Sequence, residues 1–145
     1  MDNVEITTDR ARIDVDRVHQ FLSSSAYWAL GRSREIVERS IEHSLCFSVI
    51  VEGEQVGFAR VVSDRAVFGY LMDVFILPPW RGRGLSKQLM RAIVEHPDLQ
   101  GLKLFLLRTS DAHGLYAQFG FEPIERPENL LARSGTGAPQ QVNST

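Results

Sequence analysis

Met72-Asp73-Val74-Phe75-Ile76-Leu77-Pro78-Pro79-Trp80-Arg81-Gly82-Arg83-Gly84-Leu85-Ser86-Lys87-Gln88-Leu89-Met90-Arg91 is the stretch from which the rest of the chain can be ordered. An apolar run breaks at a proline pair, a short basic loop with two glycines follows, and apolar residues at helical spacing begin at Leu85. That pattern is a strand, a loop and a helix, with the loop feeding the helix N-terminus. A helix N-terminus carries unpaired backbone N–H groups and the positive end of the dipole, so cations there are mildly destabilising. Yet Arg81, Arg83 and Lys87 crowd this end, and no acidic residue occurs between Val74 and Val94. The arrangement makes sense if an anion such as a phosphate sits among these groups. Gly82 and Gly84 would let the backbone turn tightly and approach it.

Two common phosphate loops do not fit. The spacing G-x-x-x-x-G-K-[ST] fails because Ser86, not glycine, precedes Lys87. In a G-x-G-x-x-G fingerprint counted from Gly82 and Gly84, the third glycine would fall on Lys87.

The surrounding chain supplies the rest of the fold. Val4–Thr7 alternates like a short strand. Asp14 is placed to cap a helix carrying Val15, Val18 and Leu22, and Ser33 a second helix carrying Ile36, Val37 and Ile41. Between them lies a loop with adjacent aromatics, Tyr27 and Trp28. Leu45–Val51 and Val56–Val62 flank a Glu-Gly turn and predict an antiparallel hairpin. Ala66–Ile76 is a long apolar strand interrupted by Gly69 and Asp73. After the helix that starts at Leu85 comes Leu102–Leu107, nearly all apolar and so expected to be covered on both faces. Ala112–Phe119 reads as a short helix, and Phe121–Ile124 as a last strand edged by Pro123. The order β-α-α-β-β-β-α-β-α-β predicts an α+β fold of three layers, α/β/α. Its sheet should be mixed and mostly antiparallel, with a central parallel strand pair from the unit 72–107.

The chain of 145 residues suits one domain, expected over 1–131, and the Gly/Ser/Thr/Pro/Gln/Asn composition of 132–145 predicts a disordered tail. A net charge of −2 argues against a nucleic-acid partner held by bulk charge. The single cysteine, Cys46, rules out an internal disulfide framework. No apolar run reaches membrane-spanning length, and no signal-like segment opens the chain, so a cytoplasmic location is expected. His19, His43 and His96 are scattered without metal-ligand spacing, so no metal is expected.

Ile76-Leu77-Pro78, Trp80 and Arg81-Gly82-Arg83-Gly84-Leu85-Ser86 together resemble the coenzyme-A loop of the GCN5-related N-acetyltransferase (GNAT) superfamily, Arg/Gln-x-x-Gly-x-Gly/Ala. Ser86 departs from the usual Gly or Ala at the last position. A second segment, Thr109 to Phe121, resembles the family's Asn-x-x-Ala-x-x-Leu-Tyr-x-x-x-Gly-Phe, with Leu115-Tyr116 and Gly120-Phe121 matching in spacing and Asp111 near the usual Asn. The resemblance spans about Val4 to Leu130. It implies acetyl-CoA as co-substrate, held by Phe75, Ile76, Arg81, Gly82, Arg83, Gly84, Leu85, Ser86, Lys87 and Asp111. It also implies direct transfer to an amine in a ternary complex. Members of the family often form dimers, so the resemblance leaves a homodimer open, and the residues themselves do not fix the oligomeric state.

The chemistry assigns further roles. A free alkylamine has a pKa of roughly 10, so the site must remove a proton. The tetrahedral oxyanion needs a preset backbone donor, which the resemblance locates near Phe75-Ile76. The leaving thiolate must be protonated, for which the phenol of Tyr116 is the candidate, the alternative being a Tyr whose ring packs against the strand. Asp73, a charge within an apolar strand, is a candidate general base or ammonium contact, the alternative being a structural ion pair. Tyr27 and Trp28 are candidates to line the acceptor pocket, or to pin their loop to the core. The favoured acceptor is a small-molecule amine. A protein lysine or N-terminus, and a coenzyme-A-binding module without turnover, are the other readings.

Overall fold

The computed structural model describes residues 3–133, so the tail expected over 132–145 lies outside the described residues from 134 on. Five strands form one sheet in the spatial order β1-β2-β3-β4-β5: Val4–Thr7 (β1), Leu45–Val51 (β2), Glu54–Ser63 (β3), Phe68–Ile76 (β4) and Leu104–Leu107 (β5). β1 to β4 pair antiparallel, and β4 pairs with β5 in parallel. The helices are Val15–Ser24 (α1), Arg34–Glu42 (α2), Leu85–Glu95 (α3) and His113–Ala117 (α4).

Local chemistry accounts for the helix starts. The Asp14 side chain accepts from the Arg17 N–H, and the Ser33 hydroxyl from the Ile36 N–H, each satisfying a donor that the first turn leaves open. Every residue of β2 is buried, because helices cover both faces of the sheet at this strand. Val18, Leu22, Val37 and Ile41 from α1 and α2 pack on Cys46, Phe58 and Phe75 on one face. Leu85, Leu89, Met90 and Ile93 of α3 pack with Phe47, Val49, Val61 and Leu71 on the other. These are the three expected layers.

One expectation is corrected. Among the described residues no strand follows β5, and Phe121–Ile124 forms none. Pro123 has no N–H to give a ladder, and the neighbouring Glu122 and Ile124 are exposed. Phe121 still reaches the core, its ring edge-on to Phe105 at 5.4 Å and to Tyr116 at 6.2 Å. In consequence the parallel pair lies at the edge of the sheet and not at its centre.

The feature that shapes the site is a bulge in β4. Phe58 pairs with Phe75 but Arg60 with Met72, so two steps along β3 match three along β4. Asp73 takes up the extra residue in a left-handed conformation, φ 55°. Pairing with β5 stops just before it, at Leu71 and Leu107, while β4 continues to Ile76. The two strands part there and leave a wedge.

Candidate active site

The wedge is a cleft of about 360 Å³. Its floor is Val74, Phe75 and Ile76, one wall carries Arg108, Thr109, Asp111, Ala112, Leu115 and Tyr116, and the other carries Phe21, Ser25, Ala26, Tyr27 and Trp28. Arg81 and Ser86 close one end. A Tyr27 Oη–Ser110 Oγ hydrogen bond of 2.7 Å crosses between the walls.

Arg81 to Lys87 form the turn into α3. Gly82 and Gly84 both sit at φ 78°, where a side chain is strained, and Gly84 caps α3 without any side-chain capping bond. The first helical bond runs from Gln88 N–H to Gly84 C=O at 3.1 Å, so the N–H groups of Leu85, Ser86 and Lys87 precede the helix's own ladder. There is no acidic residue in the first turn. Space for a Cβ is open at both glycines, with no atom within 4 Å. Donors, basic side chains and open space fit a bound pyrophosphate. The loop is anchored by Arg81, whose Nε donates to the Ile76 carbonyl at 2.9 Å, and the Arg83 guanidinium lies over the Trp80 ring, 4.9 Å from its centroid. Leu85 is buried against the sheet and positions the turn by packing.

The backbone donor can be narrowed. Leu77 N–H donates to Val56 C=O on β3 at 2.8 Å. Strand alternation then turns the Ile76 N–H away from β3, to the side where its carbonyl already meets Arg81. The same alternation turns the Phe75 N–H back toward β3, and its ring stacks on Phe21 at 4.2 Å in the α1/α2 core. Of the expected pair, Ile76 is the one with a donor facing the cleft.

Tyr116 is 8% exposed and faces the cleft from α4. Burial, reinforced by the charge of Asp111 and by Tyr27, pushes its pKa up to about 12. A raised value makes full proton delivery harder than the ordinary phenol value implies. A thiol has a pKa of roughly 8.5, so complete transfer from this phenol would be uphill by about 5 kcal/mol. What the phenol can do is donate a strong hydrogen bond to a thiolate.

Asp73 sits in an ion-pair cluster beside the cleft. Its side chain is 0% exposed and already engaged: Oδ1 accepts from Trp28 Nε1 at 3.0 Å, and Oδ2 from Arg32 at 2.8 Å and Arg60 at 2.9 Å. It does not line the cleft, and both of its oxygens already accept hydrogen bonds from the protein. Asp73 thus makes ion pairs with Arg32 and Arg60. Trp28 lines the cleft while its N–H is committed to Asp73. Sequence reasoning missed Arg32 and Arg60. The available signal was Arg60 inside an apolar strand, opposite another apolar strand that also contains one charge. It missed Ser110 as well, for which no signal existed. Cys46 is buried with its thiol pKa pushed up to about 11 by desolvation, against a nucleophilic role.

Residues 42–123 match the family model for the acetyltransferase (GNAT) domain. The chain belongs to the GNAT acetyltransferase family, and it is an acyltransferase. It is 50% identical to a candidate GNAT-family acetyltransferase of Xanthomonas campestris pv. campestris, which superposes with a TM-score of 0.90 over 100% of this chain and 99% of that one. A candidate acetyltransferase of Gibberella zeae is 30% identical over 135 residues, 78% of this chain and 75% of that protein. The fold is shared more distantly, at a TM-score of 0.61 and 19% identity, with an aminoglycoside N-acetyltransferase solved in complex with CoA, over 92% of this chain and 96% of that one. Among the described residues no helix is long and apolar enough to cross a membrane, and no group of three or more His, Cys, Asp or Glu could hold a metal.

Proposed function

We propose that the chain transfers an acetyl group from acetyl-CoA to a primary amine of a small molecule, directly and without an acyl-enzyme. The observation that carries this is the continuity of one cleft from the basic, acid-free turn at Arg81–Lys87 to the buried Tyr116. When bound, acetyl-CoA supplies an activated acyl carbon and a thiolate leaving group. Arg81, Arg83, Lys87 and the N–H groups of the α3 turn hold its phosphates. The Ile76 N–H faces the carbonyl oxygen as charge develops there. Tyr116 donates to the departing sulfur, and the proton the amine nitrogen sheds restores the thiol. Asp111, expected from the resemblance among the residues that hold the coenzyme, is the only carboxylate among the cleft-lining residues, and in this reading it meets the ammonium form of the acceptor instead. Water takes the acceptor's proton, because Asp73 is committed elsewhere. A cleft of about 360 Å³ shared with the thioester arm favours a small acceptor.

The test is a melting experiment with acetyl-CoA, against CoA and ATP, followed by thiol release with a panel of glucosamine 6-phosphate, an aminoglycoside, phenethylamine and spermidine. A ligand present at a hundred times Kd stabilises the fold by about 2.7 kcal/mol. A clear rise with acetyl-CoA and none with ATP is expected, together with thiol release for at least one amine. No shift with acetyl-CoA would remove the reading.

We also propose that a second copy covers the sheet where α1 and α2 leave it bare. Val62, Phe68 and Leu104 share that face through the pairs Val62–Tyr70 and Phe68–Leu104, and are 38, 36 and 45% exposed beside the β5 edge. Sedimentation equilibrium should give twice the chain mass, and a monomer mass would overturn it.

A further inference from the structure

Asp73 has a use that its burial alone does not explain. Its three donors come from two separate parts of the chain: Arg60 from β3, and Trp28 and Arg32 from the connection between α1 and α2. That connection is the acceptor-side wall of the cleft, through Tyr27 and Trp28. Its own backbone bonds are local, Ala29 N–H to Ala26 C=O at 3.0 Å and Gly31 N–H to Ser23 C=O at 2.8 Å, and do not reach the sheet. The side-chain bonds that do reach across are those to Asp73 from below and the Tyr27–Ser110 bond from the opposite wall. Trp28 and Tyr27 stand edge to face at 5.1 Å, so an anchor on one indole also places the neighbouring phenol. Only the bulge, with Asp73 at φ 55°, lets a β4 carboxylate meet Arg60 and the connection together.

We infer that Asp73 is a positioning residue: it locks the Tyr27–Trp28 wall of the cleft in place for the amine acceptor and transfers no proton itself. The inference rests on the proposed function for its substrate, but the position of the wall can be read without any acceptor.

The chain has two tryptophans, so in a Trp80→Phe background the emission comes from Trp28 alone. Asp73→Asn in that background should move the Trp28 emission to longer wavelength as the indole loses its anchor and meets water. With the best amine of the panel, Asp73→Asn should raise the amine KM about tenfold as the wall loses its anchor. Both kcat and acetyl-CoA affinity should hold. Arg32→Gln removes a loop-side partner while leaving the Arg60 pair, and it serves if Asp73→Asn does not fold. An unchanged Trp28 emission in these variants would overturn the inference. So would a fall in kcat with KM held and the acidic limb of the pH profile lost, since that would mark Asp73 as the base. If the panel yields no thiol, the emission arm still decides the wall's anchoring, and the failure falls on the proposed function instead.

Discussion

Tyr116→Phe should lower kcat about 10²-fold and leave acetyl-CoA affinity within about twofold. The ring stays, so its packing against Phe121 and the core is kept and only the hydroxyl is lost. Because the phenol's pKa is pushed up to about 12, it stays protonated through the whole working range. A donor acts in its protonated form, so activity that depends on it is lost only as pH rises toward 12. The wild-type profile should therefore rise as the amine deprotonates and show no fall near the ordinary phenol value of roughly 10. A descending limb at that value would mean the hydroxyl is not the buried one described. Full activity in the phenylalanine variant would remove the role, and a matching loss of acetyl-CoA binding would make Tyr116 a packing residue.

Most of this architecture was readable because the signals are local. Asp14 and Ser33 mark their helices through the side chains that cap them, and α3 shows in the spacing of Leu85, Leu89 and Ile93. The turn at Gly82 and Gly84 was legible from a mismatch, cations crowded where a helix dipole disfavours them. The bulge was not legible. A non-glycine residue at positive φ carries no mark in the sequence, and the interrupted run around Asp73 reads equally well as a catalytic carboxylate. What surrounds Asp73 depends on pairing register, which sets Arg60 beside Met72, and on Arg32 reaching in from a loop far along the chain. The last strand failed for a related reason: Phe121 and Ile124 have strand-like side chains, but a strand also needs donors and a partner, and Pro123 removes one donor. Tyr116 was legible as a residue and not as an acid strength, since its pKa depends on burial by neighbours the sequence does not place.

The second large effect concerns stability. Arg60→Met should destabilise the fold by about 3–5 kcal/mol, because it leaves buried Asp73 with half of its charge compensation removed. Arg60 is itself only 7% exposed, and its guanidinium also donates to Ser44 Oγ at 3.1 Å and contacts Met72 Sδ at 3.4 Å, so the chain loses three contacts at one point. Chemical denaturation should show the loss as a lower midpoint at an unchanged slope. The double variant Arg60→Met with Asp73→Asn should recover much of it, since a buried charge pair replaced as a unit is often close to neutral. Arg32, more exposed than Arg60, can turn its charge to water in that background. The wall residues should not recover, because neither substitution restores an anchor for Trp28. Stability regained while the Trp28 emission stays shifted would separate the two functions of this cluster. If stability and emission return together, the ion pairs do no more than hold the core.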